Sequence, residues 1–210
     1  MSLCNDKRTY VLLSLHRRLV ENNYIGYHNF MKHRIFIAIN LPEDIKKELV
    51  GYKHKWPELP ARWTRADNLH ITLAFLGYIS AEDLPDILKK VKEIASRYTS
   101  FEITLNKISY GPPKKMPPRM VWAIGEKSEA FNKLKTNLSQ SLFFELKPGA
   151  PHITLARIRA WDFRKIEPEE RPEVNEDISQ TFNVSSIELM ESKLKRGGPE
   201  YIILESYPLQ

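Results

Sequence analysis

Cysteine is almost absent: Cys4 is the single thiol among 210 residues. One cysteine excludes an intrachain disulfide and any cysteine metal cluster, and it points by default to a cytoplasmic location. Long apolar runs are missing too. None approaches the roughly 20 residues that a membrane-spanning helix needs, so no membrane partner is expected. The early run Tyr10-Val11-Leu12-Leu13 is short and is followed by His16, Arg17 and Arg18, unlike a secretion signal. There is no Walker loop and no Gly-x-Gly-x-x-Gly, so nothing supports use of a nucleoside triphosphate or a dinucleotide. Six histidines occur, but never as His-x-His or His-Glu-x-x-His, and no metal or other cofactor is expected. The remaining composition is ordinary for a globular protein, with 42% hydrophobic and 28% charged residues. A net charge of +6 suits an anionic partner such as RNA.

What stands out is a repeat. His70-Ile71-Thr72-Leu73-Ala74 returns unchanged as His152-Ile153-Thr154-Leu155-Ala156, 82 residues further on. Each copy alternates like a strand, whose successive side chains point to opposite faces. Strict alternation puts His70, Thr72 and Ala74 on one face, and Ile71, Leu73 and Phe75 on the other. Each strand then offers an imidazole beside a hydroxyl, backed by an apolar face. Two such strands facing one cleft would supply an acid–base pair, with hydrogen-bond donors for a phosphate between them. A neutral imidazole takes a proton and a charged one gives it near neutral pH, so no nucleophilic side chain is required.

Residues 1–30 differ from the rest. They are polar and mixed, and the folded domain is expected to begin near Met31, giving a 1–30 extension or upstream mis-start and a 31–210 catalytic domain. The run at 34–39 reads as a buried strand. A helix follows over 42–56, with Pro42 at its first position and Glu43 and Asp44 in its first turn. The first repeat strand spans 69–76 and is expected to end at Gly77. Residues 81–98 read as a helix capped by Ser80. A strand at 101–110 leads into a loop with four prolines and three cations, 111–119. Then come a strand at 120–125, a helix at 128–146 and the second repeat strand at 151–159. Residues 160–178, rich in charge and proline, read as a surface excursion with few core anchors. Strands at 182–190 and 201–207 flank a basic hairpin carrying Lys193, Lys195 and Arg196. This order, with its repeat, predicts an α+β fold of two similar halves.

The chain resembles the RNA 2′,3′-cyclic phosphodiesterase family, the LigT-like 2′-5′ RNA ligases of the two-histidine phosphoesterase superfamily. The resemblance is carried by RIFIAINLP at 34–42, RWTRADNLHITLAFLG at 62–77, PHITLAR at 151–157, and ESKL at 191–194 with GPEY at 198–201. It covers about residues 33–208. It implies a bilobal fold with pseudo-twofold symmetry, its sheets lining a central cleft. It also implies hydrolysis of a 2′,3′-cyclic phosphate at an RNA end, tRNA fragments among the candidates, to a 2′-phosphomonoester by a monomer. His70 would be the proton donor, His152 the proton acceptor, and Thr72 and Thr154 would hold phosphate oxygens. The bare motif is symmetric and cannot assign the two histidine roles. The family pattern also has an arginine after the second motif, implicated in phosphate contact. That residue is Arg157, which strict alternation turns away from His152 unless a bulge or strand end redirects it. Trp63, Phe36, Phe75, Tyr110 and Trp122 are candidates for base stacking or for core. Two alternatives stay open: the same chemistry on another cyclic phosphate or a 2′-5′ linked oligonucleotide, and a non-catalytic module that grips RNA ends.

Overall fold

The computed structural model describes residues 32–145 and 149–210. The expected boundary near Met31, the 1–30 extension and the end of the predicted helix at 146 lie outside the described residues. Among the described residues, nine strands pair into one wholly antiparallel sheet. They are β1 (Lys32–Asn40), β2 (Ala61–Trp63), β3 (His70–Ser80), β4 (Phe101–Gly111), β5 (Met120–Gly125), β6 (His152–Ile158), β7 (Asn175–Val184), β8 (Ser186–Lys195) and β9 (Gly198–Pro208). The helices are α1 (Glu43–Gly51), α2 (Leu84–Ala95), α3 (Glu129–Leu142) and the short α4 (Ala160–Arg164). None of them is long and apolar enough to cross a membrane.

The strand order is β7-β4-β5-β6-β3-β1-β8-β9, with β2 beside β6. The two repeat strands, β3 and β6, are therefore central neighbours. Each is reached by the same path: β1, α1, β3 on one side and β5, α3, β6 on the other. Among the described residues β3 and β6 pair at one place, Ile71 opposite Ile153, and β2 pairs further along β6. At the other end, Ser185 alone separates β7 from β8, although they lie in different halves. The sheet must curl for this to happen, and Leu209 N–H donates to the Ser185 carbonyl at 2.8 Å there.

One face of the sheet carries the main core. Ile37, Ile39, Ile71, Leu73, Val121, Ala123, Ile153 and Leu155 are buried there, packed with helix residues Leu49, Val91, Ile94, Phe131, Leu134 and Leu138. The helices form where expected, though shorter. Pro42 is the residue before α1 rather than its first member, and its missing N–H costs nothing there. Ser128 caps α3, its hydroxyl accepting from Phe131 N–H at 3.2 Å. Ser80 accepts from Asp83 N–H at 3.1 Å, and a turn over residues 81–83 delays the start of α2 to Leu84.

Three expectations need correcting. Gly77 does not end β3; its φ of +79° is carried inside the strand, which continues to Ser80. The predicted strand at 182–190 is two strands broken at Ser185, because its apolar residues serve different halves of the sheet. The 160–178 segment is anchored: Phe163 and Val174 are buried, Trp56 Nε1–H donates to the Glu173 carbonyl at 3.0 Å, and Tyr110 Oη–H donates to the Pro172 carbonyl.

Ile153→Ala removes buried methyl groups at the residue pair that joins β3 to β6. It is expected to lower unfolding stability by about 2–5 kcal/mol in urea titration. A loss well under 1 kcal/mol would show that this seam holds little of the fold.

Candidate active site

Strict alternation fails in both repeat strands, at the same residue of the repeat. In the β1–β3 ladder Ala38 faces Thr72 but Ile37 faces Ala74, so Leu73 is an extra residue. In the β5–β6 ladder Trp122 faces Thr154 but Val121 faces Ala156, so Leu155 is extra. Each is a β-bulge, which reverses the side-chain alternation beyond it. Ala74 and Ala156 therefore turn into the core, while Phe75 and Arg157 turn onto the histidine face. The placing of Phe75 with Ile71 and Leu73 is thus corrected, and Arg157 is redirected to the side of His152 and Thr154. The bulge in β6 is tied down: Thr64 N–H donates to the Leu155 carbonyl and Thr64 Oγ1–H to the Thr154 carbonyl, both at 2.8 Å.

The faces meet at one cavity of about 300 Å³. It brings together all five expected site residues, His70, Thr72, His152, Thr154 and Arg157. Antiparallel pairing about Ile71 and Ile153 sets His70 towards Thr154 and Thr72 towards His152. Four arginines line the cavity, Arg34, Arg62, Arg65 and Arg157, and no carboxylate among the described residues does. Such a lining is suited to an anion. Three of these arginines were not singled out in the sequence, although Arg62 and Arg65 sit in the family-like stretch just before His70. The hairpin cations behave otherwise: Lys193 pairs with Glu191 at 3.5 Å, Lys195 pairs with Glu200, and neither lines the cavity.

The two imidazoles are held alike. His70 Nδ1 lies 2.8 Å from the Asn68 carbonyl, and His152 Nδ1 lies 3.3 Å from the Ala150 carbonyl. A carbonyl only accepts, so Nδ1 carries the proton in each neutral ring and Nε2 is left for chemistry. Thr72 Oγ1 stands 3.0 Å from His70 Nε2, its hydroxyl donating to the neutral ring. Aromatic packing fixes the ring planes. Trp122 stacks on His152 with centroids 4.1 Å apart, and Tyr201 meets His70 edge-on at 5.2 Å. Trp122 needs Gly111 beneath it, where a Cβ would come within 2.2 Å of the indole. Of the other aromatics, Trp63 lines the cavity and stacks on Trp56, Phe36 packs against His70, and Tyr110 belongs to the core. Phe75 is 67% exposed at the cavity.

Burial is the largest influence on both histidines and pushes each below its ordinary value. The carbonyl bonds oppose this. The charges of Arg157 and His152 push His70 further down, and that of Lys135 does the same to His152. Both rings are therefore neutral in the empty site near pH 7. An arriving phosphate would offset the burial and the arginine charge, and so raise their proton affinity. Among the described residues, no group of three or more His, Cys, Asp or Glu stands together as a metal site requires.

Comparison with known proteins points to one family. Residues 39–122 and 124–201 match the family described as LigT like phosphoesterase. A Methanocaldococcus jannaschii protein named RNA 2′,3′-cyclic phosphodiesterase is 29% identical, over 83% of this chain and 99% of its own. Its Escherichia coli K12 namesake is 31% identical, over 84% and 96%. Among solved structures, TT0787 of Thermus thermophilus superposes with a TM-score of 0.71 at 30% identity, covering 84% of this chain and 97% of its own. E. coli LigT complexed with 3′-AMP gives 0.69 at 27%, covering 85% and 99%.

Arg157→Gln removes one of the two charges that depress His70 and none of those acting on His152. The His70 titration followed by NMR is expected to move up towards its ordinary value while that of His152 stays. Affinity for inorganic phosphate should fall about tenfold, the scale of one charge-assisted contact. An unmoved His70 titration would place the guanidinium elsewhere.

Proposed function

The chain belongs to the LigT-like phosphoesterase family, and from that premise we propose that it hydrolyses 2′,3′-cyclic phosphate ends of RNA to 2′-phosphomonoesters. The observation that carries the reading is the cavity itself: two His-x-Thr strands face it beside four arginines and no carboxylate among the described residues. His152 takes the proton of a water molecule through Nε2 as the water oxygen bonds to phosphorus. The P–O3′ bond breaks, and His70 gives its Nε2 proton to the departing O3′. The proton count is unchanged over the cycle: His152 releases its gained proton to solvent and His70 takes one back. Thr72, Thr154 and Arg157 hold the non-bridging oxygens as charge builds on them.

Burial depresses both proton affinities alike, so the division of labour follows the family resemblance. A neutral His152 is ready to act as base near pH 7. His70 must be protonated to act as acid, and the bound phosphate supplies the negative charge that favours it. With a 5′-hydroxyl in place of water, the same step bonds that oxygen to phosphorus as the P–O3′ bond breaks, so 2′-5′ ligation calls on the same residues. No step calls for a metal ion.

Incubation with a 2′,3′-cyclic nucleotide and with a cyclic-ended oligoribonucleotide, both in EDTA, should give the 2′-phosphate. His70→Ala and His152→Ala should each lower kcat by on the order of 10²-fold or more. The kcat profile should be bell-shaped, its alkaline limb lying at higher pH than that of kcat/KM, because bound phosphate raises His70. Absence of hydrolysis, or full activity in both variants, would refute the reading.

A further inference from the structure

The two half-sites differ just before each histidine. The residue two positions ahead is Asn68 in one copy and Ala150 in the other. Both main-chain carbonyls face an imidazole Nδ1, at 2.8 Å and 3.3 Å. Only Asn68 has a side chain that does more. It is buried, and its Nδ2–H donates to the Pro199 carbonyl at 2.8 Å. Pro199 lies at the start of β9, two residues before Tyr201, whose ring meets His70 edge-on. Arg62 and Arg65 also donate to this hairpin, at the carbonyls of Gly197 and Pro199. Gly198, with φ of +112°, gives Arg62 the space it occupies.

We propose that Asn68 is a positioning residue for His70: its carbonyl sets the imidazole tautomer, and its amide latches the β8–β9 hairpin so that Tyr201 bears on the same ring. One residue thus holds the imidazole from its Nδ1 side and from its face. The second half-site has no such latch, since Ala150 carries no donor. His70 is the more tightly held of the pair, as suits the group that must deliver its proton to a single ester oxygen rather than accept one from mobile water. The assignment rests on the reading of His70 as proton donor.

The test is Asn68→Ala, with Asn68→Ser as a second variant that keeps a small polar side chain but is too short to reach Pro199. Imidazole ¹⁵N correlations on the whole protein should show wild-type His70 with its neutral proton on Nδ1. In the variants the His70 ring signals should shift while those of His152 stay, with Nδ1 keeping its proton because the main-chain carbonyl remains. On the cyclic-ended oligoribonucleotide, kcat should fall about tenfold with KM moving less than about threefold, the pattern of a lost transition-state alignment. Wild-type His70 protonated on Nε2 would overturn the proposal, because the carbonyl tie would not exist. So would a folded variant with an unmoved His70 signal, whether or not kcat falls. The NMR arm needs no substrate, so it decides the positioning role even where the protein proves inactive on cyclic phosphates.

Discussion

Everything at the centre of this molecule depends on one extra residue in each copy of the repeat. A β-strand that kept perfect alternation from His70 would send Phe75 into the core and Ala74 to the cavity. The bulges at Leu73 and Leu155 reverse that. They let five residues serve two purposes: the first three positions present His and Thr while burying the Ile, and the last two bury both Leu and Ala. The next residue then returns to the functional face. A bulge also increases local twist, and these two lie in adjacent strands at the middle of a sheet that must curl. That β3 and β6 pair only at Ile71 and Ile153 among the described residues fits this geometry, since strongly twisted neighbours part soon after they meet.

The same placement governs the electrostatics. Lining a cavity with four arginines and burying two imidazoles beside them leaves the empty site short of negative charge. Each imidazole resists protonation there, by burial first and by neighbouring charge second. This arrangement would be a poor one for an acid catalyst acting alone. In the proposed reaction it would become a good one, because an anionic phosphate would supply the missing charge when His70 holds a proton. The arginines do not all stand free for that purpose. Arg62 and Arg65 are engaged with hairpin carbonyls, whereas Arg157 pairs with no carboxylate among the described residues and is the one whose charge acts on His70.

Much of this was legible in the sequence. The identical pentapeptides named the histidine pair, helical spacing found α1, α2 and α3, and the proline cluster marked the loop before β5. The bulges were not legible, because Leu-Ala and Ala-Phe are acceptable on either face and period-2 reading has no means to count an unpaired residue. The break at Ser185 was hidden for a related reason: Phe182, Val184, Ile187 and Leu189 are all apolar, and only the partner strands reveal that they belong to different halves. The anchoring of residues 160–178 rests on buried Phe163 and Val174 and on main-chain carbonyls at Pro172 and Glu173, which any residue type supplies. Arg34, Arg62 and Arg65 carry no spacing that joins them to the histidines, and only the fold gathers them around one cavity.

A reaction that needs one acid and one base sets a problem for a duplicated motif. Two identical half-sites in identical surroundings would hold protons equally well, and neither would have a reason to start the cycle charged. The difference must therefore come from outside the pentapeptide. It is found immediately on both sides of it: Asn68 against Ala150 ahead of the histidine, and Phe75 against Arg157 after the bulge. Around His70 stand Phe36, Tyr201 and the latched hairpin. Around His152 stands Trp122, seated over a glycine. In the proposed reaction the repeat would supply two equivalent proton carriers, and the unlike neighbours would convert that equivalence into direction.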